Sequence, residues 1–340
     1  MAFKLGVIGI DHRHILGMLG NMVAEGCHCA QYWSDGPSTV DQKFAQDFPD
    51  LQRVDDRRRI LDDPDVAMVL IAAVPADRAA LAIEAMEAGK DVMVDKPGCT
   101  TLDQLAAIRE TQARTGRIWT VNFSERFEVP AVVKAEELVS AGAIGRVVQT
   151  LGLGPHRQNL ATRPDWFFDR DRFGGILCDI GSHQIDQFLW FTGSQDATIT
   201  HAMVENTTMP DHPGFQDYGE ILLTSQTGHG FIRIDWFTPD ALPTWGDGRL
   251  FIQGTEGFIE LRKYTDIGRP HVTDNLVLVN GGTNELIPCA DVMLPYFPRL
   301  VADVQDRVQT AVPQAHTFTT MRIAIEAQAM AERSQGSRHA

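Results

Sequence analysis

The chain has no long apolar run: its longest, Val66 to Val74, falls well short of the roughly 20 residues a membrane-spanning helix needs. It also lacks positive charge. With 30 Lys and Arg against 45 Asp and Glu, its formal net charge of −15 disfavours nonspecific attraction to nucleic acid or an anionic membrane, so neither partner is expected. Asp11 and Arg13 come too early for a secretory signal, and a cytoplasmic protein is expected. The five cysteines, Cys27, Cys29, Cys99, Cys178 and Cys289, are odd in number and show no disulfide or zinc spacing, which reads as reduced thiols. Cys27-His28-Cys29 has the look of a metal fragment, but no second pair follows, and alternation along a strand would turn His28 away from both thiols. Repeats and low-complexity linkers are absent. What remains is an ordinary globular composition, 44% hydrophobic and 22% charged over 340 residues, long enough for two domains.

The first third alternates short apolar strands with helical segments, the pattern of a parallel sheet covered by helices. Strands are expected at Lys4 to Ile8, Cys29 to Trp33, Val66 to Val74, Asp91 to Val94 and Ile118 to Phe123. Between them, Ile15, Leu19, Met22 and Val23 recur at helical spacing before Gly26, and Arg78 to Ala88 is a helix closed by Gly89. Thr101-Leu102-Asp103-Gln104 has the form of a capping box, opening a helix that stops at Gly116. This predicts an α/β doubly wound domain over residues 1–123, of the size and order that bind a dinucleotide. After Arg126 the texture changes to a helix near Ala131 to Ser140 and separated strand-like runs: Val147 to Leu151, Ala197 to Asn206, Glu220 to Ser225, Gly230 to Trp236 and Leu250 to Gln253. Residues 124–340 are therefore read as an α+β domain on a mostly antiparallel sheet, ending in a helix at Thr319 to Arg333 and a polar tail, SQGSRHA, expected to fray.

The first strand leads into Gly9-Ile10-Asp11-His12-Arg13-His14, where a dinucleotide-binding turn normally shows G-x-G-x-x-G. Only the first glycine is kept; Asp11 and His14 hold the places of the others. A strand-to-helix turn still offers amide groups to a pyrophosphate if the backbone can approach. Asp11 opposes this, since a carboxylate roughly 5 Å from a phosphate costs on the order of 1 kcal/mol even in water. Either Asp11 turns inward as the helix N-cap while Arg13, His12 and His14 supply donors, or the turn holds its cofactor weakly or not at all. A metal on Asp11, His12 and His14 is not expected, because alternate residues on a helix diverge. Ser34-Asp35 ends the second strand where an acid would accept from the adenosine ribose, or where the two simply form a turn. With no basic residue following closely, NAD is favoured over NADP.

Asp95-Lys96-Pro97 closes the strand at the carboxyl edge of the sheet, where ligands bind in this architecture. Lys96, held there by proline, can donate to a substrate hydroxyl and to a nicotinamide ribose of the cofactor and favour the alkoxide that forms as hydride leaves, or it is simply a solvated lysine at a strand end. The stretch GGILCDIGSHQID, Gly174 to Asp186, places Asp179 four residues ahead of His183, on one face of a helix. There a neutral imidazole can take a hydroxyl proton while the carboxylate orients it. A capped helix start with a satisfied histidine fits the same residues.

Taken together, Gly9, Ala88-Gly89-Lys90-Asp91-Val92 running into Asp95-Lys96-Pro97, Arg126-Phe127, Ile144-Gly145 and GGILCDIGSHQID resemble the glucose-fructose oxidoreductase, inositol dehydrogenase and MocA family. The resemblance covers nearly the whole chain, with Asp95 in place of the family's usual Glu and an eroded glycine motif. It implies an N-terminal Rossmann domain, a C-terminal domain whose open sheet makes a homodimer or homotetramer, and NAD(P)-dependent oxidation of a hydroxyl on a sugar, cyclitol or related polyol. By the same resemblance Lys96, Asp179 and His183 are catalytic: His183 removes the proton, Asp179 orients substrate and imidazole, and Lys96 polarises the oxygen. Pro75 and Asp77 fall at a cofactor-contacting turn. Arg126, His156 with Arg157, and Arg163 with Trp166 are candidates for lining a polyol pocket, and each is equally compatible with a surface position. A relative that keeps NAD bound and epimerises or eliminates by transient oxidation, or one that only senses ligand, would share these features.

Overall fold

The structure, a computed structural model, describes residues 3–269 and 272–338. Two compact units form, and neither is contiguous: one takes the chain up to Asn122 with Ala161–Gly174 and Pro295–Met321, the other Phe123–Leu160, Gly175–Leu294 and the chain from Arg322. An undivided 1–123 and 124–340 misses these returns, which rest on contacts between residues remote in sequence. Within the first unit Phe318 stacks on Trp119 at 5.1 Å, the Tyr296 hydroxyl lies 2.9 Å from Thr120 Oγ1, and Gln314 Oε1 accepts from the Trp119 amide. The edge strand is thereby covered and its apolar face buried.

The first unit holds a parallel sheet of β1 (Lys4–Ile8), β2 (His28–Trp33), β3 (Gln52–Arg53), β4 (Val66–Ile71), β5 (Asp91–Asp95) and β6 (Trp119–Asn122). Their order is β3-β2-β1-β4-β5-β6, the doubly wound arrangement. β4 and β5 are buried almost throughout, which is why β4 reads as an unbroken apolar run and β5 as an apolar stretch, Val92 to Val94, between two aspartates. In the helix His14–Ala24, Met18 is buried with Ile15, Leu19 and Met22, whereas Val23, expected inward, is 43% exposed. Half of the capping box forms: Thr101 Oγ1 accepts from the Gln104 amide at 3.1 Å, while Gln104 Oε1 takes the Thr100 amide instead of that of the cap. Gly116, at φ 65°, ends that helix in the left-handed region that glycine tolerates. His28 is exposed opposite the buried Cys27 and Cys29, as strand alternation requires, and all five cysteines are reduced and buried.

The second unit is built on eight strands: β7 (Val147–Pro155), β8 (Thr198–Glu205), β9 (Tyr218–Thr224), β10 (His229–Asp235), β11 (Arg249–Gly254), β12 (Gly257–Arg262), β13 (Asn275–Asn280) and β14 (Asn284–Pro288). They lie in the order β14-β13-β12-β11-β7-β10-β9-β8, antiparallel except for the parallel pair of β7 and β10. At one end the helix Pro130–Ser140 sends Ala131, Val132 and Ala135 into a core with Leu250, Ile252, Ile259, Leu261 and Leu276. At the other, the helix Gly181–Thr192 lies on strand glycines. A Cβ at Gly152 would sit 2.6 Å from Gln184 Oε1, and one at Gly230 2.8 Å from Phe188. The close approach leaves almost every residue of that helix buried. The last helix runs Gln314–Arg338, earlier and later than the expected Thr319 to Arg333, so most of the polar tail is helical; its last two residues lie outside the described ones. Among the described residues no helix is long and apolar enough to cross a membrane.

Asp274, at φ 48° beside β13, is pushed up from 3.8 to about 6 by burial. A carboxyl whose folded-state pKa is raised costs the fold nothing below its unfolded value. The cost grows as pH rises from about 3.8 to about 6 and is complete above that. Asp274→Asn, which suits the same backbone conformation, is therefore expected to raise thermal stability at pH 7.5 by on the order of 1 kcal/mol, with water contact already discounted. The gain should shrink as the melts are repeated toward pH 4; a gain independent of pH would mean that Asp274 is not the group responsible.

Candidate active site

In the first unit the turn after β1 is set by Gly9, at φ 81°, where a Cβ would lie 2.6–2.9 Å from Ala73. This close crossing of β4's end explains why the first glycine alone is kept. Ile10 is fully buried and its carbonyl accepts from Ser38 Oγ at 2.7 Å, so only its backbone could meet a ligand. The helix N-cap is Arg13, with no side-chain cap, which corrects the expectation for Asp11. Asp11 instead accepts from the Val74 amide near Arg78, and burial raises its carboxyl to about 6 against both. The expected divergence of His12 and His14 is also corrected. The helix begins at His14, so His12 stands outside helical periodicity and the two rings meet edge to face at 4.4 Å.

Both imidazoles face Asp95 at the end of β5. His14 Nδ1 lies 2.9 Å from Oδ1, and His12 Nδ1 lies 2.8 Å from Oδ2, without the alignment of a hydrogen bond. Burial outweighs this carboxylate and pushes His12 down to about 3, so its ring is neutral. Asp95 is fully buried; desolvation opposes its charge, but the Arg78 guanidinium and then His14 hold its carboxyl well below the usual range. Arg78, itself fully buried, binds both the carboxylate and the chain around it. Nη2 donates to Asp95 Oδ2, Nη1 to the carbonyls of Asp95, Lys96 and Pro97, and Nε to the Ala73 carbonyl. The strand-end tripeptide carrying Lys96, 3% exposed, is thus fixed by one guanidinium. Nothing in the sequence marks Arg78 for this, because the pairing joins two βα turns through backbone carbonyls.

At the end of β2, Ser34 is buried and its Oγ has no hydrogen-bond partner among the described residues, while Asp35 is exposed. Arg53, on the neighbouring β3, donates to the carbonyls of Ser34 and Gly36. A basic side chain therefore does stand beside this turn, supplied by sheet pairing where the linear sequence offers none. Pro75 opens a turn of 3-10 helix ending at Asp77, and Asp77 accepts two hydrogen bonds from Arg172, at 2.9 and 2.8 Å. Arg163 lies over the Phe167 ring at 4.2 Å, and Trp166 is half-buried beside it.

In the second unit GGILCDIGSHQID makes two helical segments, Ile176–Asp179 and Gly181–Thr192, joined at Ile180, where a single helix was expected. Gln216 Oε1 caps the Ile176 amide and Gln328 Oε1 the Leu177 amide. Gly175 leaves room for this: its Cβ would fall 2.2 Å from the Gln328 side chain. Asp179 ends the first segment and its carbonyl accepts from Ser182 Oγ at 2.9 Å. His183 stands in the first turn of the next, 1% exposed and edge-on to Phe123.

Beside it lies a buried cluster that the sequence did not disclose. Glu125 Oε2 accepts from Lys263 Nζ at 2.6 Å and from Gln184 Nε2 at 2.7 Å. Desolvation opposes its charge, yet Lys263, His183 and His156 hold the Glu125 carboxyl well below the usual range. Arg126, a pocket candidate from the sequence, is 4% exposed and donates through Nε and Nη2, one edge of its guanidinium, to both Asp186 oxygens, at 2.6 and 2.7 Å. His156 Nδ1 lies 3.0 Å from the Gly154 carbonyl, and its ring packs against Trp236 and Trp245; Arg157 donates to the carbonyls of Pro239 and Leu242.

Comparison with known proteins agrees with this architecture. The profile described as "Oxidoreductase family, NAD-binding Rossmann fold" matches residues 24–123, and that of the GFO/IDH/MocA C-terminal domain matches residues 132–260. A solved Erwinia carotovora atroseptica protein, an oxidoreductase by assignment, is 40% identical with a TM-score of 0.93, over 97% of this chain and 98% of that one. A levoglucosan dehydrogenase solved with NADH and levoglucosan, 18% identical with a TM-score of 0.80 over 98% of both chains, shares the fold. In sequence, the levoglucosan dehydrogenase of Pseudarthrobacter phenanthrenivorans is 32% identical over 180 residues, 52% of this chain and 45% of that protein. The NAD-dependent scyllo-inositol 2-dehydrogenase of Bacillus subtilis is 27% identical over 237 residues, 69% of this chain and 65% of that protein. The chain thus spans about half to two thirds of the length of these curated relatives. On these matches and on its two sheets, the chain belongs to the Gfo/Idh/MocA family.

Proposed function

We propose that the protein is an NAD-dependent dehydrogenase that moves hydride between nicotinamide and a hydroxyl-bearing carbon of a sugar, cyclitol or related polyol. The observation that carries this reading is the fixed Lys96: a buried arginine spends its donors on the tripeptide at the carboxyl edge of a Rossmann sheet, the edge where such sheets bind ligands. The residues present fit the dinucleotide. Ser34 Oγ, buried and orphaned at the end of β2, suits a ribose hydroxyl, and Asp35 beside it accepts from the same sugar. Gly9, Ile10, His12, Arg13 and His14 frame the pyrophosphate turn, with Pro75 and Asp77 at the next. NAD, when bound, supplies the hydride acceptor. His183 takes the hydroxyl proton, Asp179 holds substrate and imidazole in register, and Lys96 donates to the oxygen on which charge develops. Arg163, Trp166 and His156 are the candidates for contacting the polyol.

Calorimetric titration with NAD and NADP, followed by NADH absorbance with levoglucosan and scyllo-inositol as first substrates, tests the reading. Saturable binding of NAD in preference to NADP, because Arg53 Nη2 beside the turn is already bonded to the carbonyls of Ser34 and Gly36, and a polyol-dependent rise in NADH are expected. No binding of either dinucleotide overturns it. Product without net change in cofactor identifies a bound-NAD epimerase or lyase instead, and ligand binding without turnover a sensor.

Asp11 gives a separate prediction. Removing a carboxylate about 5 Å from phosphate relieves on the order of 1 kcal/mol, so Asp11→Asn should tighten NAD by about fivefold. Unchanged affinity would place Asp11 away from the phosphates. The open face of the eight-stranded sheet is proposed to pair with a second copy, as a homodimer or homotetramer. Support comes from alternating burial, which leaves Leu151, Phe251 and Phe258 half-buried on that face, and from the stack of the two phenylalanines at 5.0 Å. Sedimentation of the wild type against Phe251→Lys checks it.

A further inference from the structure

We propose that His12, His14 and Asp95 form a binding site for a divalent first-row transition metal. Among the described residues these three are the one group whose ligating atoms converge, all within 4.8 Å of one another. They come from two segments, the turn after β1 and the end of β5, so their convergence is a product of the fold and not of local spacing. Two imidazole nitrogens and one carboxylate are a donor set that suits zinc, nickel, cobalt or iron better than magnesium or calcium, which prefer all-oxygen shells.

The geometry is that of a site closed on itself. Metal bonds of about 2.0–2.2 Å to nitrogen and oxygen set donor separations of roughly 3–3.4 Å. The nitrogen-to-oxygen distances here are 2.8 and 2.9 Å. These two pairs need to open by only a few tenths of an ångström, the whole donor set spans no more than 4.8 Å, and both rings can adjust, since His12 and His14 keep 18% and 28% side-chain exposure. Asp95 cannot move: it is fully buried, and Arg78 Nη2 holds Oδ2 at 2.9 Å. A carboxylate ligand steadied by an outer hydrogen bond is the usual arrangement of metal sites. The Arg78 charge opposes a cation, which sets this site apart from tight structural zinc centres. The edge-on contact of the two rings places their Nδ1 atoms on either side of one carboxylate, each facing its own oxygen. Three protein ligands leave a coordination position open for water or another small ligand.

Metal binding also reverses the tautomer of His14. A carboxylate only accepts, so an Nδ1 that bonds to it carries the ring proton and leaves Nε2 an acceptor. With metal on Nδ1 the proton moves to Nε2, which becomes a donor, the form a phosphate-binding turn requires. That consequence rests on the proposed cofactor; the metal site does not.

The test uses Zn²⁺ alone, without dinucleotide, on the full chain stripped by chelator. One equivalent per chain is expected by calorimetry, with a rise in melting temperature that follows Zn²⁺ concentration by mass action. Cobalt should give visible absorption typical of imidazole and carboxylate ligands. His14→Ala and His12→Ala should each weaken zinc at least tenfold, while His28→Ala, a surface histidine, leaves it unchanged. No saturable site, or a site unaffected in either variant while its melt stays cooperative, overturns the proposal. Because NAD is absent from these measurements, a failure of the metal site is distinct from a failure of the dehydrogenase reading.

Discussion

Replacing His183 by alanine is expected to lower kcat/KM for polyol oxidation by about 10²–10⁴, the range over which a positioned general base contributes. Dinucleotide affinity should stay unchanged, because a general base acts on the substrate hydroxyl and not on the dinucleotide. The ring is buried, edge-on to Phe123, so asparagine is the companion variant to keep the site filled and polar. Lys96→Met should cost about 10²–10³ in kcat, as loss of one oxyanion donor does elsewhere, with KM moving less if its contact strengthens toward the transition state. Stopped-flow turnover beside a calorimetric NAD titration separates the effects. Full activity in either variant would remove that residue from the chemistry, and loss of activity together with NAD binding would point to misfolding. A bell-shaped profile whose acidic limb disappears in His183→Ala would tie the proton to that imidazole.

How much of this was legible in the chain differs by kind of information. Element identity was largely readable where burial is two-sided. Val66–Ile71 is an unbroken apolar run, and Val92 to Val94 a shorter one, because helices cover both faces. The short edge strand Gln52–Arg53, exposed and polar, left no such trace. The Asp95-Lys96-Pro97 and GGILCDIGSHQID segments could be found because their chemistry is local. What holds them was not readable. Arg78 reaches carbonyls of residues 95 to 97, and Lys263 reaches Glu125. Backbone acceptors have no sequence signature, and a lone lysine in a strand-rich region looks solvated. The convergence of the two histidines after Gly9 has no sequence mark for a related reason: the helix begins only at His14, so helical periodicity, which would make His12 and His14 diverge, does not extend to His12.

The pair of Arg126 and Asp186 carries the largest expected effect on stability. Asp186 is fully buried and Arg126 4% exposed, and the guanidinium also lies over Trp190 at 4.1 Å and Phe127 at 4.5 Å. The Nε and Nη2 donors of one guanidinium edge are matched to the two carboxylate oxygens, the geometry that best offsets desolvation. Truncating one member strands the other charge in the interior. Asp186→Ala is therefore expected to cost about 3–5 kcal/mol, a large share of the 5–15 kcal/mol by which a typical domain is stable. Asp186→Asn should cost less, since it keeps an acceptor for one of these two donors. The decisive variant is the double one. If the loss is the penalty of an unpaired charge, Arg126→Met with Asp186→Leu should recover most of it, because an apolar pair of similar volume avoids the desolvation altogether. Urea unfolding of the four proteins in the cycle supplies the measurement. Additive losses would mean that each side chain acts through its own packing. In that case the stacking of Arg126 on Trp190 and Phe127, not its charge, would be what anchors the segment bearing His183.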